Sequence, residues 1–290
     1  MKTQTVAIAG NCQVAPLALI LSRLFDISIS TTIPVHLTSD LEESKYIDKL
    51  QSADCVICHQ VNDLYPCKFV RTSSLRKLVD DRLLTIPNLF YRGFTPDLRH
   101  LRFHDDQLVP GPLGDYHSAI IFDAWKDGHP NDIIQNIYED ENQWLKRYGN
   151  TASESLEELK RREANLNVKI TDFIQAKQSE RVLFFTFNHP GRTIISALAR
   201  RIGKQLNLPA RQRSERPKKS SQELLNKIQV PIHPFTKKQL NLTSKHERLF
   251  KSNHINKVVL KEPKALDLPT VITMFTEQYE ANKDALQTIA

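Results

Sequence analysis

The chain has 290 residues, of which 40% are hydrophobic and 25% are charged. This composition is typical of a folded globular protein and excludes a chain that is disordered throughout. The formal net charge of +7 favours an anionic partner, such as a phosphate-bearing ligand, a sugar nucleotide, a nucleic acid or a membrane surface. Because no apolar run approaches the roughly 18 residues that a membrane span needs, we expect no transmembrane segment.

The first predicted elements are a short strand and a helix, joined by a polar turn. Residues 5–9 are apolar and predict a buried strand, and apolar residues at helical spacing over 14–25 predict a helix. Pro16 fits only the first turn of that helix. The turn between them consists of Gly10, Asn11, Cys12 and Gln13. Such a turn directs backbone N–H groups towards a ligand and can lower the pKa of a cysteine, although a free cysteine also often packs as a small hydrophobic residue.

Strands and helices alternate further along the chain. Strands are predicted over 53–58, 85–91 and 181–187, and helices over 41–50, 73–79 and 118–126. This alternation predicts an α/β fold with a mostly parallel sheet. Two long amphipathic helices, over 131–148 and 153–178, predict a helical insertion, with Ser155 and Glu158 as a capping box. Near the C-terminus, the sequence predicts a weak helix over 222–228, a strand over 257–260 and a closing helix over 271–290.

We therefore predict one α/β domain in three parts. An N-terminal half covers 1–130, the helical insertion covers 131–180, and a C-terminal half over 181–290 completes the domain. Within the last part, a basic segment over 200–219 carries eight basic residues and one acidic residue, Glu215. This segment is either a solvated surface loop or a phosphate-binding element.

Polar residues follow three of the predicted strands. Asn11, Cys12 and Gln13 follow the first strand, His59 the second, and Asn188 and His189 the fourth. Because the carboxyl ends of parallel strands meet at one edge of a sheet, we expect these groups to line a shared cleft. This strand-turn-helix edge is the predicted active-site edge.

Histidines and an arginine are further candidates. His117 and His189 are both candidate general bases, and the sequence does not choose between them. Tyr116, His117 and Ser118 lead into a predicted helix, which Ser118 or His117 can cap. Asn11, Gln13 and the turn amides are candidate oxyanion donors. Arg92 lies beside aromatic residues and can hold a phosphate or stack on a ring, unless it is an ordinary surface arginine.

The four cysteines do not predict a metal site. Cys55 and Cys58 form a C-x-x-C pattern inside a predicted strand, where their side chains point to opposite faces. The glycine fingerprint of dinucleotide-binding folds and the P-loop are both absent. After Lys2 the apolar run is only five residues long, so we predict no signal peptide and a reducing, cytoplasmic setting.

Four segments together resemble the WcbI family of polysaccharide-biosynthesis enzymes. They are the turn over 10–13, residues 94–97, residues 116–118 and residues 187–190. The resemblance covers about residues 4–205. It implies a cytoplasmic O-acetyltransferase that moves an acetyl group from acetyl-coenzyme A to a sugar hydroxyl of a capsular or surface polysaccharide. It also implies a coenzyme A site in the cleft that holds the Cys12 turn.

This hypothesis assigns roles to ten residues and leaves alternatives open. The predicted catalytic residues are Cys12, Gln13, His117 and His189, and the predicted cofactor-binding residues are Gly10, Asn11, Arg92, Tyr116, Ser118 and Asn188. Cys12 either takes the acetyl group itself or lines the site while a histidine deprotonates the acceptor. The alternatives are an esterase or thioesterase with Cys12 as nucleophile, and a non-enzymatic binder of nucleotides or nucleic acid. The absence of a recognition motif argues against nucleic acid.

Overall fold

The computed structural model describes residues 3–212, 223–245, 248–255 and 258–289. The chain forms two compact units, each built from separate stretches of sequence. The first unit comprises Met1–Phe90, Leu156–Ala176 and Pro190–Leu224, and the second comprises Tyr91–Ser155, Lys177–His189 and Leu225–Ala290. The division into two halves and an insertion over 131–180 stays a prediction. Residues 213–219 of the basic segment lie outside the described residues.

The described residues form strands and helices throughout both units. In chain order the strands are β1 (Gln4–Gly10), β2 (Ile27–Pro34), β3 (Cys55–His59), β4 (Leu83–Ile86), β5 (Leu98–Arg99), β6 (His117–Ser118), β7 (Phe184–Thr186), β8 (His189–Pro190), β9 (Phe250–Ile255) and β10 (Val258–Leu266). The helices are α1 (Val14–Leu24), α2 (Glu43–Gln51), α3 (Thr72–Val79), α4 (Ala119–Lys126), α5 (Asn131–Glu139), α6 (Glu141–Tyr148), α7 (Thr151–Glu163), α8 (Thr171–Lys177), α9 (Arg192–Gln205), α10 (Pro234–Gln239), α11 (Leu268–Glu280) and α12 (Lys283–Leu286).

A four-stranded parallel sheet forms the centre of the first unit, with the strand order β2-β1-β3-β4. The chain leaves β1 on one side to form β2 and then crosses back to form β3 on the other side of β1. The strand order therefore reverses between β1 and β3. Open α/β sheets bind ligands at the carboxyl edge beside such a reversal. The parallel sheet confirms the predicted α/β fold.

Helices cover the sheet of the first unit. One face of β1 and β3 packs in an apolar cluster with α2 and α3, to which Ala7, Val56, Cys58, Leu50 and Leu75 contribute. Cys55 is absent from that cluster, as expected for two cysteines three positions apart on one strand. Helix α1 packs against β1, β2 and α9. The sheet is thus a buried platform that fixes the position of the turn after β1.

The structure corrects several predicted elements. Strand β2 has no counterpart among the predicted strands, and the strand predicted over 181–187 is reduced to β7, which pairs with β8 rather than with the parallel sheet. The helix predicted over 131–148 is divided at Asp140, whose side chain accepts a hydrogen bond from the Asn142 N–H and starts α6. Ser155 lies inside α7 and accepts the Arg92 N–H, so it is not a helix cap.

The second unit is mainly helical, with short antiparallel strands. Helix α11 contacts α4 and α5, and its buried side chains include Phe275 and Tyr279. Strands β9 and β10 pair antiparallel. Across the part of the chain that the structure describes, no helix is both long and apolar enough to cross a membrane.

Candidate active site

The turn after β1 lies beside the point where the strand order of the sheet reverses. The Asn11 N–H donates to Nδ1 of His59, at the end of β3, over 3.3 Å. The Asn11 side-chain amide donates to Oδ1 of Asn88, which follows β4, over 2.7 Å. Polar groups that follow three adjacent parallel strands therefore meet at one edge, as predicted for the first two of them.

Gln13 is bonded to the backbone rather than exposed to a substrate. Its side-chain nitrogen donates to the Leu89 carbonyl over 2.8 Å, and its side-chain oxygen accepts the Leu89 N–H over 3.1 Å. The residue is only 2% exposed. This paired bond fastens the turn to the segment after β4. The side-chain amide of Gln13 is therefore bonded to Leu89, whereas the predicted catalytic role needs it to bind a substrate.

Backbone N–H groups of the turn also donate hydrogen bonds to acceptors within the protein. The Gln13 N–H donates to Oδ1 of Asn11 over 3.0 Å, and the Val14 N–H donates to the Asn11 carbonyl over 3.1 Å. Because the Asn11 N–H already binds His59, two of the four turn amides and the first amide of α1 have acceptors within the protein. The expected oxyanion donors on Asn11 and Gln13 are therefore structural groups that hold the turn in place.

The His59 ring packs closely against the turn, because Gly10 has no side chain between them. A Cβ atom on Gly10 would lie 2.5 Å from Nδ1 of His59 and 2.8 Å from a methyl carbon of Val14. His59 is 3% exposed, and burial lowers its pKa to about 4. The imidazole is therefore neutral at pH 7, with its Nδ1 lone pair available to Asn11. His59 was expected at the shared cleft without a stated role, and Asn88 was missed because it lies inside the strand predicted over 85–91, whereas β4 ends at Ile86.

Cys12 differs from the other cysteines in its exposure. Its side chain is partly exposed, whereas Cys55, Cys58 and Cys67 are buried. Burial raises the pKa of the Cys12 thiol above its ordinary value of 9.0, and its own backbone N–H only partly opposes that effect. The thiol of the ligand-free chain is therefore protonated at pH 7, contrary to the lowered pKa expected at such a turn.

A thiol-labelling experiment tests this description of Cys12. We expect one thiol of the folded chain to react with iodoacetamide and all four to react in urea. Because the thiolate is the reacting species, the rate at pH 7 should be lower than that of an unstructured cysteine. The rate should still be rising with pH above 9.0, the ordinary pKa of a thiol. Mass spectrometry of the labelled chain measures both quantities.

The matched control is Cys12→Ala. This variant should show no fast-reacting thiol when folded and three thiols when unfolded. A rate that levels off below pH 8, or labelling of Cys67 in the folded chain, would contradict the description.

Tyr116, Asn188 and His189 lie together in the second unit. The Tyr116 hydroxyl donates to Oδ1 of Asn188 over 2.5 Å and lies 3.1 Å from Nε2 of His189. The rings of His100 and Phe187 lie 5.2 Å from the Tyr116 ring, measured between centroids. Three of the predicted site residues thus form one hydrogen-bonded cluster.

The hydrogen bonds of this cluster fix the tautomer of His189. Oδ1 of Asn188 can only accept a hydrogen bond, so the Tyr116 hydroxyl uses its proton to donate to Asn188. The Tyr116 oxygen must then accept a hydrogen bond from Nε2–H of His189. Nδ1 of His189 then carries the lone pair. This atom is buried, and among the described residues it has no hydrogen-bond partner. Burial lowers the pKa of His189 to about 4, so the ring is neutral and its Nδ1 can accept a proton.

His117 is a structural histidine, which corrects its predicted role as a base. The side chain is fully buried, its Nε2 lies 2.8 Å from the Val109 carbonyl, and its Nδ1 lies 2.9 Å from the Tyr279 hydroxyl. Both ring nitrogens are used inside the second unit. A substrate therefore has no nitrogen of His117 to bind.

Ser118 and Arg92 also have local structural roles. The Ser118 hydroxyl accepts the Ile121 N–H over 3.1 Å and caps α4, as the sequence predicted. The Arg92 guanidinium donates to the Pro96 carbonyl over 2.7 Å, in its own loop. Within the described ranges, no group of three or more His, Cys, Asp or Glu side chains has the arrangement of a metal site.

Comparison with known proteins agrees with this architecture. The family described as "Polysaccharide biosynthesis enzyme WcbI" matches residues 5–211. A solved structure of WcbI shares 18% sequence identity with this chain. It is described as a novel polysaccharide biosynthesis enzyme, in native form without a disulfide bond between coenzyme A and one of its cysteines. The match covers 99% of this chain and 98% of that one, with a TM-score of 0.73.

No curated protein matches the chain by sequence. The family match covers well over half of the 290 residues and includes the Cys12 turn as well as the Tyr116, Asn188 and His189 cluster. The chain therefore belongs to the WcbI family of polysaccharide biosynthesis enzymes.

Proposed function

We propose that this protein is an acyltransferase that moves an acetyl group from acetyl-coenzyme A to a sugar hydroxyl during the synthesis of a surface or capsular polysaccharide. The observation that carries the proposal is the partly exposed Cys12, on a hydrogen-bonded turn at the carboxyl edge of a parallel sheet. Within this turn the Asn11 and Gln13 side chains are occupied, which leaves the Cys12 thiol as the group that a ligand can meet.

The solved WcbI structure supports the choice of donor. Its description says that this native form is without a disulfide bond between coenzyme A and a cysteine of that protein. A disulfide of that kind would bring the coenzyme A thiol next to that cysteine. We propose that Cys12 is the counterpart of that cysteine. The thioester of acetyl-coenzyme A then lies against the Cys12 turn.

Of the two routes that the sequence leaves open, the thiol favours direct transfer. A covalent route needs a Cys12 thiolate, but burial raises the pKa of this thiol, and no described side chain forms a hydrogen bond to it. In direct transfer, the oxygen of the sugar hydroxyl attacks the thioester carbonyl. The new C–O bond forms, the C–S bond breaks with its electron pair going to the coenzyme A sulfur, and the hydroxyl proton passes to a base and then to that sulfur.

We propose His189 as that base. The support comes from the second unit alone, where Tyr116 fixes the tautomer of His189 and leaves the Nδ1 lone pair unpaired among the described residues. A neutral imidazole with a free lone pair is the form that a general base requires.

Acetyl-coenzyme A turnover with a panel of sugar acceptors tests the function. We expect coenzyme A to raise the unfolding temperature and the release of its thiol to depend on an acceptor. Cys12→Ala should keep the turnover within about tenfold of the native value, because direct transfer needs no thiolate. His189→Gln should lower kcat by about a hundredfold or more, the usual share of a general base.

His117→Gln is the matched control for the histidine. It should lower stability while the folded fraction keeps its turnover, since His117 contacts only protein groups. An acetyl group found on Cys12, with loss of turnover in Cys12→Ala, would instead establish the covalent route. Thiol release that no acceptor changes would replace the transferase with a thioesterase. No effect of coenzyme A on the unfolding temperature would contradict the proposed donor.

A further inference from the structure

A groove on the second unit lies along the exposed side of α11. It has a volume of about 750 Å³. One wall is formed by side chains at helical spacing on α11 and the turn after it, namely Met274, Glu277, Gln278, Ala281 and Asn282. The rest of the described lining is formed by Phe103, Pro110, Gly111, Pro112, His254 and Val259. The volume is in the range of small-ligand sites.

The polar groups of the α11 wall are available to a ligand. No hydrogen bond or ion pair joins the side chains of Glu277 and Gln278 to any other described residue. Asn282 donates its side-chain N–H to the Gln278 carbonyl over 2.8 Å, a bond that orients its Oδ1 without using it. The groove therefore presents a carboxylate, an amide and an amide oxygen along one wall, with spacing set by the helix.

The described lining of the groove disfavours an anionic ligand. None of its described residues is a lysine or an arginine, and Glu277 is acidic. Phosphate groups of coenzyme A or of a nucleotide would meet this carboxylate, and no described cation of the lining offsets its charge. The ligand that suits this groove is uncharged and rich in hydroxyl groups.

The apolar part of the groove suits the ring of a sugar. Phe103 and Met274 both line the groove and are both partly exposed, so each offers an apolar surface. Planar amides and carboxylates can bond two neighbouring hydroxyls, each through its two polar atoms. We propose that this groove binds a neutral saccharide segment of the acceptor. The identity of that saccharide as acceptor rests on the proposed function, whereas the binding itself does not.

Met274 provides a direct probe of the groove. The chain has two methionines, so isotope-labelled methionine methyl groups give two NMR signals, and Met274→Leu identifies the one from the groove. We would titrate the full chain with maltohexaose, cellohexaose, mannohexaose and a galactan oligosaccharide, and with a hyaluronan hexasaccharide as the acidic comparison. We expect the Met274 signal to shift with a neutral oligosaccharide, at least about tenfold more tightly than with the acidic one.

Matched variants separate the groove from other surfaces. Gln278→Ala should weaken saccharide binding about tenfold, because it removes hydrogen bonds to the ligand. Gln287→Ala makes the same change at an exposed position outside the groove and should leave binding unchanged. Glu277→Gln should reduce the difference in affinity between neutral and acidic oligosaccharides, since it removes the negative charge of the groove.

The inference is overturned if no neutral oligosaccharide shifts the Met274 signal, if the acidic one binds more tightly, or if Gln278→Ala binds like the native chain. Coenzyme A stabilisation and thiol release are measured on the same samples. A silent Met274 signal with active thiol release refutes the groove and leaves the proposed function standing. A shifted Met274 signal without any effect of coenzyme A refutes the acyl donor and leaves the saccharide site standing.

Discussion

Replacing Gly10 by alanine is expected to lower the free energy of unfolding by about 3 kcal/mol, which is at the upper end of the cost of overpacking a core. The new Cβ would lie 2.5 Å from Nδ1 and 2.8 Å from Cγ of the His59 ring, and 2.8 Å from a methyl carbon of Val14. His59 is buried, so its ring has no room to withdraw. The backbone of Gly10 is not in the left-handed region, so the whole cost comes from these contacts.

The same substitution is expected to loosen the turn that carries Cys12. Moving the His59 ring breaks its bond with the Asn11 N–H, which is one of the bonds that hold the turn. Iodoacetamide should therefore label Cys12 faster in Gly10→Ala than in the native chain. Urea unfolding measures the stability, and the labelling rate measures the turn.

Two comparisons make this prediction specific. In a His59→Ala background, Gly10→Ala should cost about 1 kcal/mol, because only the contact with Val14 remains. Gly128→Ala introduces a side chain where no atom lies within 4 Å, at a φ of +80°, and should cost about 1 kcal/mol of backbone strain. Equal costs for Gly10→Ala in both backgrounds would show that His59 is not the obstacle.

The arrangement at the carboxyl edge of the sheet was predictable because it depends on local signals. A short apolar strand, a polar turn and a proline in the first helical turn define β1 and α1 without reference to the rest of the chain. Strand β2 was missed although its sequence carries a strand signal. Ile27 and Ile29 alternate with Ser28 and Ser30, which is typical of a half-buried strand at the edge of a sheet, and only Ile27 and Ile33 are buried.

Side-chain roles were harder to predict than elements, because a hydrogen-bond partner is a property of the folded chain. His117 and His189 are equivalent in the sequence, yet one has both ring nitrogens bonded and the other has a buried lone pair. Gln13 was expected to face a substrate, whereas Leu89, seventy-six residues away, takes both of its polar groups. No local pattern encodes such a distant partner.

Asp97 shows the same dependence on distant partners, and its removal should have the largest effect on stability. The side chain is 3% exposed, and its Oδ1 accepts the Ile120 N–H and the Tyr148 hydroxyl, each over 2.9 Å. Asp97→Ala leaves both donors buried without an acceptor. At about 2 kcal/mol for each donor, the free energy of unfolding should fall by about 4 kcal/mol. Urea unfolding of the two chains measures the difference, and a loss below about 1 kcal/mol would contradict it.

Asp97→Asn separates the charge of this group from its hydrogen bonds. Burial raises the pKa of Asp97 above its ordinary value of 3.8, against the opposing bonds from Ser118, Ile120 and Tyr148. The native state therefore binds this proton more tightly than the unfolded chain, and ionisation destabilises the native state. As the pH rises from 3.8 through the raised pKa, the native chain should lose free energy of unfolding relative to Asp97→Asn. Above the raised pKa the difference between the two chains should stay constant. The other carboxylates are common to both chains, so their contributions cancel in the difference in free energy of unfolding. If this difference does not change with pH, or changes in favour of the native chain, the hydrogen bonds outweigh burial at this carboxyl.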